Sequence, residues 1–282
     1  MTLRPFQQVD VFTAQPYLGN PVAVVLDGQG LSDAQMQQFA RWTNLSETTF
    51  VLPPSDARAD YRLRIFTPGG ELQFAGHPTL GSSHAWLRNG GQPRTAGELV
   101  QECGVGLVRI RRQGESLAFE APPMRRSAPD AALLDGLCAA LGVTRAQVQA
   151  AQVLDNGTVW VGLLLDGAER VLGARPDFAA LKALGHKVGI AGRPAHPAAS
   201  APALEVRGFA PHLGVDEDPV TGSLNASLAQ WLLADGHLAG DYLAAQGACL
   251  QRAGRIRIAR DGAGAVWVGG DAVTCISGQV SL

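Results

Sequence analysis

Hydrophobic and polar positions run through one order of elements and then through that order again. "NPVAVVLDG" (20–28) and "NGTVWVGLLLDG" (156–167) each read as a turn, a buried strand and an Asp-Gly turn, with Asp27 answering Asp166. Phe39 and Phe178 follow, each in a stretch with helical spacing. "TFVLPP" from Thr49 then answers "KVGIAGRP" from Lys187, and "YRLRIFTP" from Tyr61 answers "ALEVRGFAP" from Ala203, each a strand that stops at Gly or Pro. Next come "ELQFAGHPTLGSSHAWL" (71–87) and "VDEDPVTGSLNASLAQWL" (215–232), which share a turn residue, Pro, small residues, Gly-Ser and an apolar helix. Pro78 and Pro219 stand 141 residues apart, half the chain. A hairpin turning at Gly closes each copy, "GLVRIRRQGESLAFEAPP" in one and "GRIRIARDGAGAVWVGGD" in the other. The pattern predicts strand, strand, helix, strand, strand, helix, strand, strand, twice.

The helices in "LGSSHAWL" and "SLNASLAQWL" are apolar around most of their circumference, so each is expected to be wrapped by strands rather than to lie on one face of a sheet. The predicted fold class is α+β: two pseudo-symmetric halves, each a mixed, barrel-like sheet around a central helix. The stretch from Pro129, "PDAALLDGLCAALGVTRAQVQAA", has helical spacing with a stop at Gly142 and is read as the joint. The halves are therefore expected at 1–128 and 129–282, with the last strand able to cross back to the first. "GRPAHPAASAPA" (192–203) reads as an exposed loop inside the second half.

Composition narrows what this scaffold serves. Of 282 residues, 46% are apolar and 17% charged, with 34 Gly and 17 Pro, which describes a compact chain rich in tight turns. Lys and Arg total 23 against 25 acids with no basic block, so no surface for tracking nucleic-acid phosphates is expected, and the partner is expected to be a small molecule. No run of about 18 apolar residues occurs, and "MTLRPFQQVDVF" lacks the features of a signal peptide, so no membrane association and a cytoplasmic address are expected. Cys103, Cys138, Cys249 and Cys275 have no metal or redox spacing and read as buried small hydrophobes. No metal site, dinucleotide fingerprint or nucleophile elbow is present.

Candidate chemistry gathers at the two predicted helix starts. Pro at the first helical position wastes no donor, and the residue before it is held out of the helical region, which predicts starts at His77-Pro78 and Asp218-Pro219. The amides that follow, around 79–81 and 220–223, lack partners inside a helix and sit at its positive end. If the pseudo-symmetric faces meet, the two starts together hold a carboxylate. Without a ligand, Asp218 is ordinary helix punctuation; His77 is a poor cap and is better read as half of an acid/base couple. Glu47, at the head of a strand after a helix ended by Asn44, is either a solvated acid or a third member, since its counterpart 139 residues on is His186. His84 lacks a third ligand for a metal and reads as a core or capping histidine.

In "VDVFTAQPYLGNPVAVV", "NLSETTFV", "IFTPGGELQFAGHPTLGSSHAWL" and "RGFAPHLGVDEDPVTGSLNASLAQWL", in that order, the whole chain resembles the phenazine-biosynthesis PhzF-like family, which has the diaminopimelate epimerase-like fold. The resemblance implies a metal- and cofactor-independent isomerase that shifts a proton within a small carboxylate, as in trans-2,3-dihydro-3-hydroxyanthranilate isomerases. It implies Glu47 as the group that takes and returns the proton, with His77 and Asp218 as its catalytic companions. Gly76, Gly222 and Ser223 are implied as substrate-binding residues, and the protein as a homodimer, which apolar hairpins expected to be exposed, such as "AVWVGG", fit. Closure around the site is expected to raise the proton affinity of Glu47. Two other functions remain open: a racemase or epimerase of a small amino or hydroxy acid, and a non-catalytic small-carboxylate binder. The chain departs from the family pattern where Leu224-Asn225 replaces Ala-His and in "QGACLQR" (246–252).

Overall fold

The computed structural model describes residues 2–196 and 201–282, so the expected 192–203 loop lies partly outside the described residues. Along the chain come β1 (Leu3–Val11), β2 (Asn20–Val25), α1 (Asp33–Thr43), β3 (Glu47–Leu52), β4 (Tyr61–Thr67), β5 (Gly70–Leu72) and α2 (Gly76–Arg88). β6 (Glu98–Cys103), β7 (Gly106–Gln113), β8 (Ser116–Glu120), β9 (Arg125–Ser127), α3 (Ala131–Leu141), β10 (Val148–Asp155) and β11 (Val159–Leu165) follow. Next are α4 (Ala168–Gly173), α5 (Phe178–Leu184), β12 (Val188–Gly192), β13 (Leu204–Ala210), β14 (Val215–Asp218) and α6 (Gly222–Ala234). β15 (Tyr242–Gln246), β16 (Gly254–Arg260), β17 (Val266–Gly270) and β18 (Ala272–Ser281) complete the order. The fold is mixed α and β with extensive sheet and few helices. It divides into two compact units, Met1–Glu120 with Gly269–Leu282, and Ala121–Val268.

In the first unit, hydrogen-bonded neighbours run β18, β1, β2, β3, β4, β6, β7, β8, with parallel pairs at β2/β3 and β4/β6 and antiparallel pairs elsewhere. Helix α2 touches β18 and β8, the two ends of that order, as well as β1 to β4. Strands therefore wrap the helix, and ten of its thirteen residues are buried. Close approach requires Gly81, because a side-chain carbon there would overlap Val22 of β2 and Val11 of β1. Helix α1 covers the sheet with Met36, Phe39 and Ala40 against Phe50 and Phe66.

In the second unit the neighbours run β9, β10, β11, β12, β13, β15, β16, with parallel pairs at β11/β12 and β13/β15. Helix α6 lies on β10, β11 and β16 with nine of thirteen residues buried. Here the small residue stands on the strand: a side chain at Gly189 would overlap Leu224. Helix α3 caps with Asp130 and stops at Gly142 in the left-handed region (φ 68°), as its spacing predicts, and packs with α5 around Leu137, Leu141 and Leu181. The second unit carries two helices, α4 and α5, where the repeat predicts one, while its short β14 before α6 answers β5 before α2.

Two expectations need correction. "AVWVGG" is not an exposed hairpin: every residue of β17 is buried, so it offers no surface to a second copy. Of the cysteines, only Cys138 is buried; Cys103 and Cys275 are half-buried, and Cys249 is exposed on a 3-10 turn, Ala248–Leu250. Isolated sulfur positions carry no periodicity from which burial could be read.

Candidate active site

Glu47 owes its place to the turn before it. Asn44 ends α1 in the left-handed region (φ 53°), which Asn tolerates, and the chain reverses into β3, where Glu47 is the first residue and pairs with Val22 of β2. Thr43 braces the turn: its hydroxyl donates to the Ala40 carbonyl at 3.0 Å and so receives the Thr48 hydroxyl at 2.7 Å. The side chain of Glu47 is 15% exposed and that of His77 6%.

His77 sits in the first turn of α2, not at its cap. The helix begins at Gly76 with Ala75 as cap, and its first internal bond runs from the Thr79 amide to the Ala75 carbonyl at 3.2 Å. Pro78 is accepted as the third helical residue because no amide in the first turn has a partner inside the helix. The expected start is thus displaced toward the N-terminus, and Gly76 and His77 supply orphan amides there.

The Nε2 atom of His77 lies 3.4 Å from Glu47 Oε2. Burial pushes the His77 imidazole down to about 3, against a smaller opposing effect of a backbone hydrogen bond to Pro21. The ring is therefore neutral near pH 7 and the contact is not an ion pair. The neutral ring gives its one proton to the Pro21 carbonyl through Nδ1, so Nε2 presents a lone pair to Glu47, and the two groups share a hydrogen bond only when the carboxyl holds the proton.

The second unit holds the other predicted residues, arranged differently from the expectation. Asp218 does not cap α6: it ends β14, opposite Gly208, and the cap is Thr221. The reason is a side-chain network. Gln246 Oε1 accepts the Thr221 amide at 3.0 Å, and Gln246 Nε2 donates to the Thr221 hydroxyl at 2.9 Å and to the Asp218 carbonyl at 3.0 Å. With its lone pair engaged, the Thr221 hydroxyl points its proton at Asp218 Oδ2, 2.6 Å away. Asn225 locks Gln246 from below, donating to its Oε1 at 2.8 Å and to the Thr221 carbonyl at 2.9 Å. Asp218 is thereby held as an acceptor.

Gly222 and Ser223 form the first turn of α6, whose opening bond runs from the Asn225 amide to the Thr221 carbonyl at 3.1 Å. The Trp160 indole N–H donates to Ser223 Oγ at 3.1 Å, and Asn156 Nδ2 to the Ser223 carbonyl at 3.2 Å. A hydroxyl whose lone pair is taken by Trp160 keeps its proton for another acceptor, and the orphan amides beside it point the same way as any helix N-terminus. Gln246, Asn225, Thr221 and Trp160 were not among the residues read as functional from the sequence. The departures from the family pattern at 224–225 and 246–252 were the available signal. Leu224 fits because Gly189 and Gly208 leave room for it. Among the described residues, no three His, Cys, Asp or Glu side chains stand together in a way that would hold a metal ion.

The pattern of a family described as phenazine biosynthesis-like protein matches residues 9–278. A protein of Schizosaccharomyces pombe named antisense-enhancing sequence 1 is 36% identical, covering 99% of each chain. A trans-2,3-dihydro-3-hydroxyanthranilate isomerase of Pseudomonas chlororaphis is 34% identical over 82% of this chain and 80% of its own. Among solved structures, a PhzF-family phenazine biosynthesis protein of Bacillus anthracis superposes with a TM-score of 0.86 at 22% identity, covering all of both chains. No helix is long and apolar enough to cross a membrane among the described residues.

Proposed function

Since this chain belongs to the phenazine biosynthesis-like PhzC–PhzF family, we propose that it is an isomerase that shifts a proton within a small carboxylate substrate by general acid/base catalysis, of the dihydro-hydroxyanthranilate isomerase type. The observation that carries this reading is the buried contact between Glu47 and a neutral His77 at 3.4 Å. Glu47 takes the proton from a carbon made acidic by a neighbouring unsaturated system and returns it to another carbon. His77 stays neutral and, with its one proton on the Pro21 carbonyl, accepts a hydrogen bond from the carboxyl while Glu47 holds the proton. Charge developing on the substrate is met by fixed donors, which need no reorganisation. The Gly76 amide at the start of α2 is one such donor. In the second unit, Asp218 is kept as an acceptor by Thr221, and the Gly222 and Ser223 amides with the Ser223 hydroxyl stand as donors at the start of α6. The two units are read as copies of one plan, each a sheet wrapped on a helix whose start carries part of the chemistry.

The test is deuterium uptake from D₂O into the dihydro-hydroxyanthranilate and a panel of amino and hydroxy acids, read by mass spectrometry with wild type beside Glu47→Gln. Exchange into one compound that falls by about 10² to 10⁴ in the variant supports the reading. Exchange that survives in Glu47→Gln overturns it. Inversion of a single stereocentre in the product would move the assignment to an epimerase, and ligand-induced thermal stabilisation without exchange would move it to a binding protein.

A further inference from the structure

Helix α2 carries a second histidine that the proposed chemistry does not use. His84 lies two turns after His77, is 8% exposed, and lines a cavity of about 230 Å³ at the C-terminal end of the helix. Arg88, one turn further along the same face, lines it too, together with Pro93, Arg112 of β7, Glu115 of the β7–β8 turn and Leu117 of β8. All of these residues belong to the first unit.

The hydrogen bonds fix which form His84 takes. The Thr274 hydroxyl of β18 donates to Gln7 Oε1 at 3.1 Å, so at its 3.0 Å contact with His84 Nε2 it accepts. Nε2 therefore carries the ring proton, and Nδ1 of the neutral ring carries a lone pair. The charged groups that line the cavity with the ring are Arg88, on its own helix, and Arg112 and Glu115 on the hairpin that completes it. Arg112 is steadied by a bond from its Nε to the Gly114 carbonyl at 3.0 Å, and its Nη2 lies 3.6 Å from a Glu115 carboxylate that is itself 80% exposed. Two guanidinium groups thus face one well-solvated acid, a net positive lining in a space too small for a nucleotide.

We propose that this cavity binds a small oxyanion, a carboxylate or phosphoryl group taken by the guanidinium groups of Arg88 and Arg112 beside His84. Guanidinium is the side-chain group whose planar fork matches both kinds of oxyanion. Binding recruits a third donor, because a protonated His84 offers Nδ1–H where the neutral ring offers a lone pair. In the empty cavity, burial first and Arg88 second hold His84 below its ordinary range, so an arriving anion offsets the Arg88 repulsion and takes up a proton with it. The anion binds the protonated form more tightly, and its affinity rises as pH falls. This inference is independent of the acid/base reading of Glu47.

The test is titration of the full chain with inorganic phosphate and, separately, with succinate, following the ring signals of His84 by NMR, assigned against His84→Gln. Saturable shifts are expected with at least one probe, and the tighter probe names the source of the oxyanion. Arg88→Gln and Arg112→Gln should each weaken binding, and the double variant by about tenfold or more, while Arg62→Gln, an exposed change outside the cavity, should leave it unaltered. Succinate affinity should strengthen several-fold from about pH 8 to about pH 6 in wild type and stay flat in His84→Gln. No saturation with either probe overturns the proposal, as does a double variant that binds like wild type or an equal loss in Arg62→Gln.

Discussion

Helix α2 begins on Gly76 with a titratable ring buried in its first turn, whereas α6 begins on Gly222 with its acid, Asp218, left outside the helix and held there by neighbours. The first start is poor in hydrogen bonds to its polar group: His77 meets a backbone carbonyl and Glu47 at 3.4 Å. In the second, more crowded start, the Thr221 hydroxyl donates to the Asp218 carboxylate at 2.6 Å and is itself fixed by Gln246 at 2.9 Å, which Asn225 holds at 2.8 Å. A group that must gain and lose a proton is served by the sparse arrangement, because each saturated hydrogen bond would favour one of its two states. A group that must remain an acceptor is served by the crowded one, since every donor aimed at it makes the alternative costlier.

Glu47→Gln breaks this contrast with the largest effect. It keeps a group of the same shape beside His77 but removes the exchangeable carboxyl proton, and turnover measured by deuterium uptake should fall by about 10² to 10⁴. Retained turnover would mean that the sparse start is only structural.

Next in size is the pH dependence of stability, whose sign follows from His77. Its folded value, about 3, lies below the ordinary 6.5. The unfolded chain therefore binds the proton first as pH falls. The contribution is fully present above about 6.5 and is lost progressively down to about 3, a change on the order of a few kcal/mol. Urea midpoints measured across that range should decline with acid in wild type, with a shallower decline in His77→Asn. No histidine lies in the crowded network of the second start, so Asn225→Leu should not alter this slope.

That start is expected to fail through unsatisfied polar groups instead. Asn225→Leu removes the donors that fix Gln246, and the loss should be about 1–3 kcal/mol, read as a lower denaturant midpoint with unchanged slope. A cost near zero would show that the network is not held in place by Asn225.

The smallest expected effects sharpen the comparison at the helix–sheet contacts, where unit one puts its glycine on the helix and unit two on the strand. Gly81→Ala and Gly189→Ala should each cost about 1–3 kcal/mol by overpacking. Leu224→Ala should recover part of the loss only in Gly189→Ala, because Leu224 is the side chain that the strand glycine accommodates. Thermal denaturation of the single and double variants checks this.

The elements themselves were legible in the sequence because local chemistry sets them. Asn44 and Gly142 adopt the left-handed conformation that ends their helices, Glu47 does open a strand, and α2 and α6 read as buried because they are apolar on all sides. The helix starts were misplaced because proline marks the neighbourhood of a start and not its position: Pro78 is the third residue of α2, whereas Pro219 stands two residues before the cap of α6. Asp218 was read as a cap because its true competitor, Thr221, is chosen by Gln246, which is 25 positions away along the chain. The strand β17 was read as exposed because an apolar run looks the same whether sheet or solvent covers it. Cavities such as the one beside His84 arise where a helix end, a hairpin and β18 meet, and no local pattern encodes such a meeting.

The pairing of β18 with β1, from Leu3 against Ser281 to Val11 against Ala272, bears on the order in which a ribosome delivers this molecule. Residues 121–268 form a continuous unit that can condense as soon as they emerge. The other unit is made first and finished last, since its opening strand lacks its neighbour until residues 272–281 arrive. During that interval the edge of β1 is an unpaired row of amides and carbonyls beside an apolar helix, the stage at which the growing chain is most open to a chaperone or to a stray strand.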